Sequence, residues 1–143
     1  MTISFNKADA SAVLSNRVAL KSFIEKRVKR EGIKVESLDY VFCTDKYLLK
    51  INKQYLSHDY YTDIISFDLS DVPGQLIGEV YISVDRVKEN AKAHNSSFKT
   101  ELHRVIFHGA LHFCGYKDKK PSDAKKMRQM EDLWLKAYLP NGK

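Results

Sequence analysis

The side chains with the most chemistry to offer in this 143-residue sequence fall in one short stretch, His108-Gly109-Ala110-Leu111-His112-Phe113-Cys114-Gly115-Tyr116-Lys117-Asp118. Two histidines four residues apart project from one face of a helix with Cβ atoms about 5–6 Å apart. That is a bite two imidazoles can close on a transition metal. Gly115 stands where a helix end calls for a left-handed residue, a conformation glycine adopts without steric cost, and the chain turns back there. Asp118, three residues beyond, can swing under the helix end as a third ligand and leave a fourth position open, as in catalytic zinc sites. The chemistry implied is hydrolysis by a metal-bound water whose pKa the ion lowers.

A histidine pair at this spacing also occurs on ordinary helix faces; the glycine and the third donor at the same step are what favour a metal. The order HxxxHxxGxxD has the metzincin spacing of helix, glycine turn and third ligand. Zinc peptidases, however, place a glutamate directly after the first histidine as general base, and here that position is Gly109. A peptidase reading therefore lacks its base. If Asp118 were not the third ligand, water, His94 or His58 would have to serve. His103 points away from the ligand face and reads as structural, and Cys114 reads as a buried apolar thiol.

The elements that must carry this site follow from periodicity. Ile3 and Phe5 alternate with polar neighbours as a short strand does, and residues 12 to 31 carry apolar side chains at helical spacing until Gly32. A β-rich run over 37–44 precedes a short helix over 45–55. Two strand-like runs, 63–69 and 76–84, flank the turn signal Asp71-Val72-Pro73-Gly74 and should pair as a hairpin or lie close together. Asp85 is a candidate N-cap for a helix to about 95, Ser97 or Thr100 for one over 100–114, and Ser122 for one over 123–138. The reading is α+β: one domain over 1–143, with a four-stranded mixed sheet, about five helices and a metzincin-like metal-binding helix.

Composition narrows the partners. Twenty-four Lys and Arg against eighteen Asp and Glu leave a net charge of +6, a field that favours anionic partners, nucleic acid first among them. Two distant cysteines, Cys43 and Cys114, exclude a disulfide framework or an all-cysteine zinc site and fit a reducing compartment. No apolar run approaches the roughly 20 residues of a membrane helix, and no secretory signal is visible, so neither secretion nor membrane insertion is expected. Residues 1 to 24 are poor in acid and hold several serines, as transit segments do, but Val18, Leu20, Phe23, Ile24 and Val28 read as a core-facing helix stripe.

The motifs resemble those of a known family. HGALHFCGY, preceded by Glu101-Leu102-His103-Arg104-Val105, resembles the HGxLHLxGYDH signature of the YbeY family of bacterial and organellar endoribonucleases. NKQYLSHDYYTDIISF, from Asn52 to Phe67, resembles its NxxYRxxDxxTDVLSF block. Gly78-Glu79-Val80-Tyr81-Ile82-Ser83 resembles its LGDIxIS strand, and Met130-Glu131 its closing ME element. The resemblance spans about residues 40 to 135. It implies a metal-dependent endoribonuclease acting on single-stranded RNA in ribosomal RNA maturation and ribosome quality control. It also implies zinc as the cofactor, His108 and His112 as ligands, and Asp118 in the place of the usual third histidine. The small ribosomal subunit and a ribosome-assembly GTPase are the implied partners, in the cytoplasm.

Two departures stand out. Asp118 makes the ligand set harder and more anionic, which admits another divalent transition metal. Leu56 occupies the position of an arginine and can offer phosphate neither charge nor a bidentate fork. Lys117, Lys119, Lys120, Lys125, Lys126 and Arg128 flank the motif with only Asp118 and Asp123 among them; they read either as a substitute phosphate-binding patch or as a solvated helix face. Asp63 and Ser66 match the family block whose strand lines the cleft. They are catalytic candidates that could orient or deprotonate a metal-bound water, or alternatively a turn cap and a backbone partner. His58, Tyr60 and Tyr61 either stack on unpaired bases or cover the core. A metal-stabilised, non-catalytic ribosome-associated module is the alternative to the nuclease.

Overall fold

In the computed structural model, which describes residues 2–140, four segments with alternating buried side chains form strands: β1 (Ile3–Lys7), β2 (Lys34–Cys43), β3 (Ile64–Asp68) and β4 (Gln75–Ser83). Met1 and residues 141–143, the ends of the domain expected over 1–143, lie outside the described residues. Five helices connect and follow the strands: α1 (Arg17–Arg30), α2 (Asp45–Leu56), α3 (Val84–Ala93), α4 (Phe98–Phe113) and α5 (Pro121–Tyr138). The sheet order is β1-β2-β4-β3, with β1·β2 and β2·β4 parallel and β3·β4 antiparallel. The mixed α+β arrangement expected from the sequence is therefore the one observed, and β3, an edge strand, pairs with β4 as the expected hairpin.

Helix starts differ from the sequence reading in three places. The segment before α1 is not helical, burying Ala12 and Leu14 and exposing Val13; α1 begins only after Asn16, whose left-handed backbone (φ 53°) breaks the helix and whose side chain accepts from Ala19 N. Val18 is consequently 72% exposed, while Leu20, Ile24 and Val28 face the core. Ser83 rather than Asp85 caps α3, accepting from Arg86 N, because Asp85 instead accepts from Asp45 N at the start of α2. At α5 Pro121 occupies the first turn and Ser122 caps nothing; proline's fixed φ suits that position and its missing N–H is no loss there.

The main core lies between the sheet and α1, α4 and α5, centred on Tyr40, Phe107 and Trp134, and a smaller cluster of Cys43, Leu48, Ile51 and Ile65 lies under α2. Two features seat α4. Tyr40 Oη on β2 donates to Ile106 O at 2.9 Å. Gly109 faces the sheet so closely that a Cβ there would meet Ile64 Cδ1 and Val80 Cγ1 at 3.2 Å. Gly109 thus lets α4 approach β3 and β4, and nothing larger than hydrogen fits that face undisturbed.

Candidate metal centre

His108 and His112 lie on the outer face of α4, with ring centroids 4.5 Å apart. The helix ends in a Schellman turn: Gly115 N donates to His112 O, Tyr116 N to Leu111 O, and Gly115 takes φ +97°. That turn reverses the chain and carries Asp118 back under the two rings. Asp118 Oδ2 lies 3.2 Å from His108 Nε2 and 3.3 Å from His112 Nε2, and one ligand atom from each residue falls within 4.8 Å of the others. Ligands about 2.0–2.1 Å from a tetrahedral zinc stand about 3.3–3.4 Å from one another. The donor set and its spacing therefore fit a divalent ion with one position left open. Neither His94 nor His58 joins this group. His94 pairs instead with the buried Glu101 at 3.5 Å.

His108 is braced from behind. Its Nδ1 lies 2.6 Å from Oε2 of Glu131 on α5, a buried carboxylate that also accepts from Arg104 at 3.0 Å, while Arg104 binds Asp132 at 2.8 Å. A carboxylate at Nδ1 holds the proton there and leaves the Nε2 lone pair for a metal. Burial draws the His108 pKa down, but the hydrogen bond and charge of Glu131, with Asp118 and Asp63 adding, hold it above the ordinary histidine value. The periodicity of α5 gave no sign of this role; the Met130-Glu131 match in the resemblance was its one sequence signal.

The three candidate ligands open into a cleft of about 690 Å³. Its other wall comprises the end of α2, the connection to β3 and β3 itself, including Asn52, Leu56, His58, Tyr60, Asp63 and Ser66. Both catalytic candidates thus line the cleft. Burial raises the Asp63 pKa against a smaller opposing pull from His108. Its carboxylate also accepts from Asn90 Nδ2 at 3.4 Å.

The basic residues do not gather in one place. Lys119 lines the cleft, Lys117, Lys120 and Lys126 surround a separate depression beside Gly115 and Tyr116, and Lys125 and Arg128 are exposed on α5. His58, Tyr60 and Tyr61 are all exposed, so none covers the core. His58 and Tyr60 line the cleft, whereas Tyr61 lies under the Arg86 guanidinium, 5.5 Å from ring centroid to Cζ. His103 is structural: it is buried, its Nδ1 donates to Lys99 O at 2.7 Å, and it stacks on Tyr138. Cys114 packs partly buried against the core, and burial first, then Glu31, raises its pKa to about 12, so it remains a thiol outside the ligand group.

Gly109 also bears on the peptidase alternative. The Cβ of a glutamate here would already press on Ile64 and Val80 at 3.2 Å, so the position has no room for a general base.

Comparison with known proteins adds to this geometry. A family model described as Endoribonuclease YbeY matches residues 3–139. The chain is 47% identical over 134 residues to the Endoribonuclease YbeY of Cytophaga hutchinsonii, covering 94% of each chain. To that of Flavobacterium psychrophilum it is 48% identical over 119 residues, covering 83% of this chain and 81% of the relative. In fold it is similar to a Thermotoga maritima protein determined in solution, with a TM-score of 0.63 and 25% identity over 97% of this chain and 93% of that one. Among the described residues, no helix is long and apolar enough to cross a membrane.

Proposed function

The chain belongs to the YbeY endoribonuclease family, and from that premise we propose that it is a metal-dependent endoribonuclease cleaving single-stranded RNA at the His108–His112–Asp118 centre. The observation that carries this reading is the convergence of two imidazoles and a carboxylate, at metal-ligand spacing, on the floor of an open cleft. Zinc suits a donor set of two nitrogens and one oxygen, and the carboxylate also admits a harder divalent ion. When bound, such an ion would polarise the scissile phosphate and acidify water at its open position.

The chain's own residues do the rest. Glu131 and Arg104 hold His108 with Nε2 toward the cleft. Asp63, a cleft carboxyl whose burial raises its pKa, is suited to take up or return a proton nearer neutral pH than an ordinary aspartate. Ser66, on the same strand, offers a hydroxyl to the substrate. Lys119 meets phosphate within the cleft, while Lys117, Lys120 and Lys126, with Lys125 and Arg128 beyond them, bind the chain as it leaves. The net charge of +6 supports ribosomal RNA as the substrate. On this reading the RNA is processed at the small ribosomal subunit, in the cytoplasm, beside a ribosome-assembly GTPase, which membership of the family supports.

The test is protein stripped of metal and reloaded with zinc or manganese, given single-stranded RNA and the same sequence as 2′-deoxy strand. The expected result is RNA cleavage that appears with metal and disappears with chelator. Absence of cleavage with every metal, alongside intact RNA binding, would replace the enzyme with a binding module.

A further inference from the structure

The wall of the cleft opposite the metal ligands presents an aromatic pair that the metal chemistry does not use. The rings of His58 and Tyr60 stack with centroids 5.1 Å apart and planes at 20°, and Tyr60 Oη meets His58 Nδ1 at 3.0 Å. Tyr60 remains 55% exposed. An exposed aromatic ring on the seven-residue connection over 57–63 would ordinarily lose its orientation to solvent, but this one is fixed by its backbone. Ser57 takes a left-handed conformation (φ 56°) and caps α2, His58 N donates to Asn52 O at 3.1 Å, and the buried Asn52 side chain donates from Nδ2 to Tyr60 O at 2.9 Å. Buried Asn52 therefore fastens both ends of the aromatic pair to the last turns of α2. Beside the pair, Leu56 adds an apolar side chain, 39% exposed, to the same cleft.

From this we infer that His58 and Tyr60, with Leu56 beside them, form a stacking subsite for one unpaired nucleobase of the RNA whose backbone crosses the metal centre. The inference rests on the RNA-cleaving reading of the cleft. A π-face accepts any base, so the subsite selects for an unpaired base rather than a particular sequence. It also accounts for the wall having no cation at residue 56. The strand is held there through its bases, whereas Lys119 meets phosphate on the wall of the metal ligands. His58 and Tyr60 fall at positions left open in the NxxYRxxDxxTDVLSF pattern, so the subsite belongs to this chain's own sequence.

The experiment uses metal-free protein and single-stranded RNA 12-mers carrying 2-aminopurine at successive positions, whose fluorescence is quenched by stacking. Wild-type protein should quench the probe at one position relative to the bound register. Tyr60→Ala should abolish that quench and weaken binding roughly 5- to 150-fold, the range that loss of one base–aromatic stack covers. Tyr60→Phe should retain most of both, and RNA abasic at that position should bind wild type and Tyr60→Ala alike. Melting temperatures of the variants identify any loss that comes from unfolding, and the abasic arm needs no folded-state correction because each protein is its own reference. Absence of quenching at every position, or Tyr60→Ala losing equally on intact and abasic RNA, would overturn the subsite. Reloading the wild type with metal separates the two readings: quenching without cleavage removes the nuclease and leaves the platform, and cleavage without quenching does the reverse.

Discussion

The two walls of the cleft are built in opposite ways. On one, α4 and α5 hold His108 against a buried glutamate, which is fixed in turn by a guanidinium that is itself paired twice. On the other, Leu56 at the end of α2 and His58 and Tyr60 on the connection after it stand exposed, the connection tied down by one buried asparagine. A metal ligand must be placed to a fraction of an ångström, which only side chains locked by packing and by outer hydrogen bonds achieve. A substrate-facing wall must leave its ring faces uncovered, and so escapes the constraint of packing. The two departures from the family pattern fall one on each wall: Leu56 on the exposed one and Asp118 on the packed one, where the bracing Glu131 keeps the family's ME element.

Breaking the packed wall should produce the largest effects. Gly109→Glu forces a charged side chain against Ile64 and Val80, where even a Cβ is crowded. Overpacking combined with a buried unpaired charge should cost more than about 3 kcal/mol and leave little folded protein. Circular-dichroism melts check this, and a folded Gly109→Glu protein would contradict the packing argument. Asp118→Ala comes next. It leaves the fold intact because the residue is exposed, but it should lower zinc affinity by more than the roughly 100-fold that losing an outer partner costs, since it removes a direct ligand. Zinc stoichiometry measured on protein purified without added metal is the readout, and an unchanged value would strike Asp118 from the ligand set.

A smaller effect separates bracing from ligation. Glu131→Gln keeps a carbonyl that can accept from His108 Nδ1 but loses the charge facing Arg104. Zinc affinity should fall by about 10-fold, and by up to about 100-fold in Glu131→Ala, as titrated against a competing chelator. The same brace predicts opposite pH trends with and without metal. Because the His108 pKa is raised in the folded protein, the metal-free fold holds that proton more tightly than the unfolded chain. The stabilisation is complete below the ordinary histidine value, about 6.5, and is lost as pH rises through the raised one. The raised Asp63 carboxyl pushes metal-free stability in the same direction, its folded form being penalised once it ionises. Metal requires the neutral imidazole, so zinc affinity should instead weaken as pH falls through the raised value. The excess melting temperature of metal-free wild type over Glu131→Gln should therefore be greater at about pH 5.5 than at about pH 8, with zinc affinity ranked the other way.

The sequence made one wall far more legible than the other. HxxxHxxGxxD showed that His108, His112 and Asp118 would converge because helical spacing, a glycine turn and a returning carboxylate are local features, and the Schellman turn at Gly115 realises them. Periodicity likewise placed the strands and helices, since each buries one face. It failed where a side chain had two possible partners. Asp85 has the chemistry of an N-cap but is drawn to Asp45 N, forty residues away in sequence, and the run over 12–31 alternates with a period of two before Asn16 and of a helix after it. The Glu131–Arg104 brace was out of reach for the same reason, being a contact between helices. The basic residues from Lys117 to Arg128 read as one patch along the chain, yet a turn and a helix distribute them over separate surfaces.

That distribution sets the smallest and most discriminating test of the two walls. Each phosphate neutralised on a single strand adds about 0.7 to the steepness with which log affinity falls against log salt. Lys119→Ala should therefore flatten the salt dependence of RNA binding by about that amount, because Lys119 is the one lysine of the group lining the cleft. Lys125→Ala should change it less, its side chain standing exposed on α5. Leu56→Arg runs the experiment in reverse on the opposite wall: the side chain already lines the cleft at the end of α2, so an arginine there reaches the bound strand without new backbone. The slope should steepen by about 0.7 if the strand's phosphates pass within reach of that wall. If the bases face it, as the His58–Tyr60 platform requires, the slope should stay put while the added guanidinium stacks beside Tyr60. Salt titration of wild type and Leu56→Arg thus reads which side of the RNA each wall holds.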